Sequence, residues 1–105
     1  MLVEVLWWEG CPSTPKAVEQ LRAALAELDL DPDSITMRKM TSDAEAEQQE
    51  FVGSPTIRVD GVDLFPPGDA PIGLSCRVYQ LQDGRVSPTP DPELLRQALR
   101  RSVHA

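Results

Sequence analysis

Two cysteines, Cys11 and Cys76, are the residues of this chain best suited to covalent chemistry, and they stand 65 positions apart. Cys11 lies in "WEGCPSTPKAVEQL", one residue after a glycine and just ahead of an apolar pattern with helical period. A thiol attacks only as its thiolate, and a helix start favours an anion through its unpaired N–H groups and the positive end of its dipole. Thr14, three residues on, puts a hydroxyl within reach of the sulfur, and Lys16 adds a cation one turn in. Glu9 and the net charge of −7 act in the opposite sense. A free cysteine of pKa about 8.5 is expected to drop by about a unit or more in such a place. The competing reading is an inert buried thiol, because free cysteine is among the most buried residue types. A helix-mouth thiol faces solvent more often than core, and Cys11 is read as reactive.

The position of Cys76 decides the mechanism. If the loop before it folds over the helix mouth, Cys76 can resolve a mixed disulfide on Cys11 or share a soft metal with it. If it lies deep in a last strand, it is core and Cys11 works alone. Cα atoms more than about 7 Å apart cannot be bridged without backbone movement. Asp63 and Asp69 are the acids near that loop with a conceivable proton-transfer role, and Tyr79 reads as a strand aromatic. Trp7 and Trp8 point to opposite faces of the first strand. One belongs to the core, and the other, with Trp8 nearer the motif, walls the groove around Cys11.

Composition narrows the remaining choices. The chain has 105 residues, 41% apolar and 26% charged, values that suit one soluble domain with a single layered core. A net charge of −7 with scattered Lys and Arg supplies no basic stripe, which argues against nucleic acid and against an anionic membrane. No apolar run approaches the roughly 20 residues that cross a bilayer. The opening "MLVEVLWW" is too short for a signal peptide and lacks a basic start, so a cytoplasmic protein is expected. One histidine, His104 at the chain end, and no Cys-x-x-Cys argue against a structural zinc site.

The elements that must position the thiols are legible in outline. Residues 2–7 read as a buried central strand interrupted by Glu4. Val18, Leu21, Leu25 and Leu28 make one apolar stripe on a helix from Pro15 to Leu28, capped by Ser13 or Thr14. Residues 34–40 alternate as a half-exposed strand. Ser42 and Glu45 have capping-box spacing ahead of a short polar helix to about residue 49. "TIRV" at 56–59 is a strand, and Asp60-Gly61 signals a hairpin into "VDLF". Residues 66–74 hold three prolines and two glycines and form a loop. "CRVYQL" at 76–81 is the last strand, followed by a turn at Asp83-Gly84. Asp91 caps a final helix with Pro92 in its first turn and Leu94, Leu95, Ala98 and Leu99 on its buried face. The order is β-α-β-α-β-β-α, an α/β domain over residues 1–105 with a mixed central sheet.

That order, with "GCPST" after the first strand and "VGSPTIRVDG" before the third, resembles the thioredoxin-like superfamily. Cys11 matches the first position of the family's Cys-x-x-Cys and Thr14 the second, so the resolving cysteine is missing from its usual place. Pro55 matches the family's cis-proline. The resemblance implies a three-layer thioredoxin-like fold with Cys11 as nucleophile. It also implies that Ser54 and Pro55 shape a groove in which the Ser54 backbone pairs with an extended substrate chain. The half running from "SPT" to "LSCRVY" is also similar to small proteins related to alkylmercury lyases, which use two cysteines and an acidic residue on carbon–mercury bonds.

Three functions compete. The first is a thiol–disulfide oxidoreductase, monothiol or atypical dithiol, with Cys11, Thr14 and Cys76 in catalytic roles and Trp8, Ser54 and Pro55 contacting substrate. It would act on a disulfide-containing protein or a small thiol substrate, hold no bound cofactor or metal, and draw on an external low-molecular-weight thiol as reductant. The second is soft-metal or organomercurial chemistry at a Cys11–Cys76 pair. The third is a non-catalytic binding module.

Overall fold

The computed structural model describes residues 1–103; His104 lies outside the described residues. Strand β1 (Val3–Trp7) runs through the middle of a four-stranded sheet. Its side chains alternate, so Val3 and Val5 face one way and Glu4 and Leu6 the other, and all four are buried. Helix α1 (Thr14–Glu27) carries the chain to β2 (Ile35–Lys39), which pairs parallel to β1 from Val3↔Ile35 to Trp7↔Lys39. Helix α2 (Asp43–Gln48) leads to β3 (Thr56–Val59), antiparallel on the other side of β1, and β4 (Val62–Asp63) closes the order β2-β1-β3-β4. The sheet is therefore mixed. Glu4 is tolerated inside because Arg38, on the same face of the edge strand β2, pairs with it at 3.1 Å.

Each face of the sheet has its own core. Val3, Val5, Ile57 and Val59 pack beneath Leu21, Ala24 and Leu25 of α1 and beneath Leu95 and Leu99 of α3 (Pro92–Val103). Leu6 packs with Met40, Ala46 and Phe51 on the opposite face, where α2 lies. The buried stripe of α1 differs from the leucine-and-valine stripe expected. Ala17 and Ala24 join Leu21 and Leu25, while Val18 and Leu28 are only half-buried, and α1 packs against α3 along this face. Leu94 of α3 is likewise only half-buried. Asp91 caps α3 by accepting from the N–H of Glu93 at 2.9 Å and of Leu94 at 3.2 Å.

Three local readings need correction. The Ser42 hydroxyl accepts from the Glu45 N–H at 3.1 Å, but the Glu45 carboxylate turns back to the N–H of Thr41 at 2.7 Å, not that of Ser42. Asp60 (φ 51°) and Gly61 (φ 83°) form the hairpin turn, yet the strand after it stops at Asp63. There the carboxylate accepts from the N–H of Phe65 at 2.8 Å and bends the chain.

The third correction matters most. Residues 76–81 do not add a strand to the main sheet. Only β5 (Tyr79–Gln80) is regular, and it pairs with β6 (Val86–Ser87), a strand the sequence did not announce, in a separate two-stranded sheet closed by the Asp83-Gly84 turn. Among the described residues no helix is long and apolar enough to cross a membrane.

Candidate functional site

Cys11 ends the turn between β1 and α1, where its N–H donates to the Trp8 carbonyl at 3.2 Å. Where a solvent-facing thiol was expected the residue is buried, 5% exposed, but its sulfur has polar partners. Its sulfur shares a hydrogen bond with the Ser13 hydroxyl at 3.0 Å and, as a thiol, donates to the Ser54 carbonyl at 3.3 Å. Ser13 or Thr14 was expected to cap the helix; Ser13 holds the cap position and Thr14 is already the first helical residue. The Ser13 backbone is helical (φ −86°, ψ −9°), whereas a capping residue needs an extended conformation, so its hydroxyl makes no cap bond and turns to the sulfur. Thr14 does not reach the sulfur directly. Its hydroxyl bonds to that of Ser54 at 3.0 Å, the residue whose backbone carbonyl accepts from the Cys11 thiol.

Cys76 is free, exposed and beside Cys11. It arrives there through a one-residue parallel bridge to Ser54: the Ser54 N–H donates to the Ser75 carbonyl at 2.8 Å, and the Arg77 N–H donates to the Ser54 carbonyl at 2.9 Å. Along this segment side chains alternate. Arg77 and Tyr79 are buried, and Cys76 and Val78 are exposed. Cys76 is thus not a core residue.

Burial pushes the Cys11 thiol up, but this is outweighed by hydrogen bonds from the Ser13 hydroxyl, the Cys76 thiol, the Ser13 backbone and the Ser54 side chain. Together they hold it below the ordinary thiol value. Lys16 is exposed and has no part in this lowering. Cys76 moves the other way. Donating its proton to the Cys11 sulfur raises it first, and burial and the charge on Cys11 add to the rise. One thiol is prepared to be an anion and its neighbour to stay protonated.

Arg77 is the supporting residue that the sequence reading missed. Its guanidinium is 8% exposed and pairs with the Asp63 carboxylate at 2.7 Å, reaches Thr56 Oγ1 at 3.3 Å, and donates to the Phe65 carbonyl. It also sits 4.7 Å over the Tyr79 ring, whose hydroxyl donates to the Pro55 carbonyl. Burial pushes the Tyr79 hydroxyl up, which suits a donor rather than a proton carrier. These contacts clamp residues 75–79 onto the start of β3. Of the two acids considered for proton transfer, Asp63 is held in this pair and Asp69 is exposed in the loop.

Ser54 and Pro55 are fully buried, and the bond joining them is cis. The Ser54 backbone groups, expected to stay free for an extended substrate, are both taken by the chain's own residues 75 and 77. The tryptophan in the groove beside Cys11 is Trp7, together with Pro12, Pro15, Val18 and Met37. Trp8 turns to the opposite face and packs on the Leu6–Phe51 cluster, with its ring over Gly10, where a Cβ would meet the indole at 2.1 Å. Among the described residues no group of three or more His, Cys, Asp or Glu is arranged to hold a metal ion.

Comparison of the chain with protein-family models, with curated proteins and with solved structures finds no match. The chemistry open to the site follows from its own geometry.

One consequence concerns Gly53. It has φ 123°, a conformation that L side chains rarely adopt, and a Cβ there would lie 3.0 Å from the Arg77 nitrogen. Gly53→Ala is expected to lower the urea midpoint by an amount worth about 1–3 kcal/mol, the usual cost of backbone strain at such a position. It should also move the Cys11 thiol back toward its ordinary titration range, because residues 75–77 are displaced from Ser54. Denaturation and thiolate absorbance measured on the same variant check both effects.

Proposed function

We propose that this protein is a thiol–disulfide redox protein of thioredoxin-like arrangement that works with a split dithiol, Cys11 attacking and Cys76 resolving. The observation that carries this reading is that Ser54 joins the two cysteines, 65 positions apart: its carbonyl accepts from the Cys11 thiol at 3.3 Å while its backbone is bridged to Cys76, and the two thiols shift in opposite directions. The β1–α1–β2 crossover, the β3–β4 hairpin and the placement of Pro55 at the start of β3 support the thioredoxin-like arrangement. Free thiols suit a reducing compartment such as the cytoplasm.

The steps balance without a cofactor. The Cys11 thiolate attacks one sulfur of a substrate disulfide, forming a mixed disulfide and expelling the other sulfur as a thiolate, which takes up a proton. With its charge spent, Cys11 no longer holds the Cys76 proton. Cys76 loses it, attacks the Cys11 sulfur and releases the second substrate thiol. The substrate gains two electrons and two protons, and the protein is left with a Cys11–Cys76 disulfide. Two equivalents of an external low-molecular-weight thiol return it to the dithiol. Ser13, Ser54 and, through Ser54, Thr14 act as positioning residues for the attacking sulfur.

Alkylation against pH tests this reading. The pKa of Cys11 is lowered, so its rate should rise and level off below the range of free cysteine, about 8.5. Cys76, raised, should react only above that range. A Cys11 that titrates at or above the free value removes the redox reading and leaves a binding module.

A second reading has one observation in its favour. Two free thiols held on either side of Ser54 supply the pair of thiolates that a two-coordinate Hg(II) site takes. It predicts one-to-one mercury titration, lost in either Cys→Ser variant.

A further inference from the structure

Two routes lead to the Cys11 sulfur, and the chain blocks one of them itself. An extended polypeptide would have to lie along Ser54 and use its N–H and C=O, but Ser75 and Arg77 already occupy both, at 2.8 and 2.9 Å. This occupancy is clamped by the Arg77–Asp63 pair, 8% and 13% exposed at the side chains, and by the Tyr79–Pro55 hydrogen bond. The other route is a groove of about 600 Å³ between the N-terminus of α1 and the β1–β2 edge, with Cys11 in its lining. That volume is within the ordinary range for a small-molecule site of roughly 300–1,000 Å³.

The lining sets the chemistry. Trp7, Pro12, Pro15, Val18 and Met37 give an apolar surface, and Met37 is 43% exposed. The one charged group lining the groove is Glu9, which pairs with Lys39 at 3.4 Å. Among the described residues that line the groove none is a cation, Lys39 beside the Trp7 ring is engaged by Glu9, and the protein as a whole is strongly negative. We infer that the substrate is a small, neutral, apolar disulfide entering by the Trp7–Met37 groove, not a polypeptide and not an anionic disulfide such as that of glutathione.

This rests on the redox reading above and narrows it to one substrate class. The electron balance is unchanged: the small disulfide is reduced to two thiols, and the Cys11–Cys76 pair is oxidised.

The test mixes the reduced full-length chain with four probes: 2,2′-dithiodipyridine, diethyl disulfide, glutathione disulfide and a short disulfide-linked peptide. Each rate is divided by that of free cysteine at equal thiolate concentration, which removes intrinsic reactivity. The two neutral probes should be enhanced at least about tenfold more than the other two, the size expected for seating one or two apolar groups. Met37→Gln, a neutral exchange at an exposed edge position, should cut the dithiodipyridine rate by about fivefold through lost apolar contact while the ultraviolet thiolate titration of Cys11 stays in place. Equal or greater enhancement with the peptide or with glutathione disulfide overturns the inference and leaves the redox reading standing. No enhancement with any probe overturns both.

Discussion

Cys76→Ser should stop disulfide reduction halfway. Cys11 still attacks, but nothing inside the chain displaces the bound half of the substrate, so intact mass rises by that fragment and stays raised until external thiol is added. A tethered thiol acts at an effective concentration of at least about the millimolar range, so in a single turnover with about micromolar external thiol, release of the bound half should slow about a thousandfold. Cys11→Ser should show neither adduct nor turnover, because it removes the attacking sulfur. Single-turnover release from Cys76→Ser as fast as from wild type would mean that Cys76 is a bystander.

Arg77→Ala should be the most destabilising single change near the site. It leaves the 13%-exposed Asp63 carboxylate without its partner and removes the donor serving Thr56 and Phe65. Breaking one side of a buried ion pair costs about 3–5 kcal/mol, a large share of the 5–15 kcal/mol typical of a domain. The double variant Arg77→Met with Asp63→Leu should recover most of that loss in urea denaturation, since no charge is left stranded. It should still raise the Cys11 pKa, because residues 75–77 are held less firmly against Ser54. A single variant that costs less than about 1 kcal/mol would show that the clamp is not what holds the segment.

How much of this was legible in the sequence depended on how local the signal was. β3, the Asp60-Gly61 turn and the Asp91 cap of α3 are set by adjacent residues and stand where the pattern put them, within a residue or so. Cys11 was visible because Gly-Cys-Pro before a helical stripe marks a helix mouth. The role of Ser13 was not, because capping depends on its backbone angles and those follow from the turn that Trp8 and Gly10 make. Trp7 and Trp8 could not be told apart, since a one-residue shift in where the strand's alternation ends exchanges their faces. Residues 76–81 looked like one strand because Val78, Tyr79 and Leu81 favour strands. The segment is broken by a tertiary demand, the buried Arg77–Asp63 pair, that no local preference reports. A trace of it was present all the same: if Tyr79 faces inward, alternation puts Arg77 inward too and Cys76 out.

The central claim is that two distant cysteines form one functional pair, and oxidation of the dilute chain with diamide followed by intact mass and a non-reducing peptide map tests it most directly. The expected product is a monomer lighter by two hydrogens, with the Cys11 and Cys76 peptides joined. Two thiols that both remain open to alkylation, or cross-links found only between chains, would contradict it.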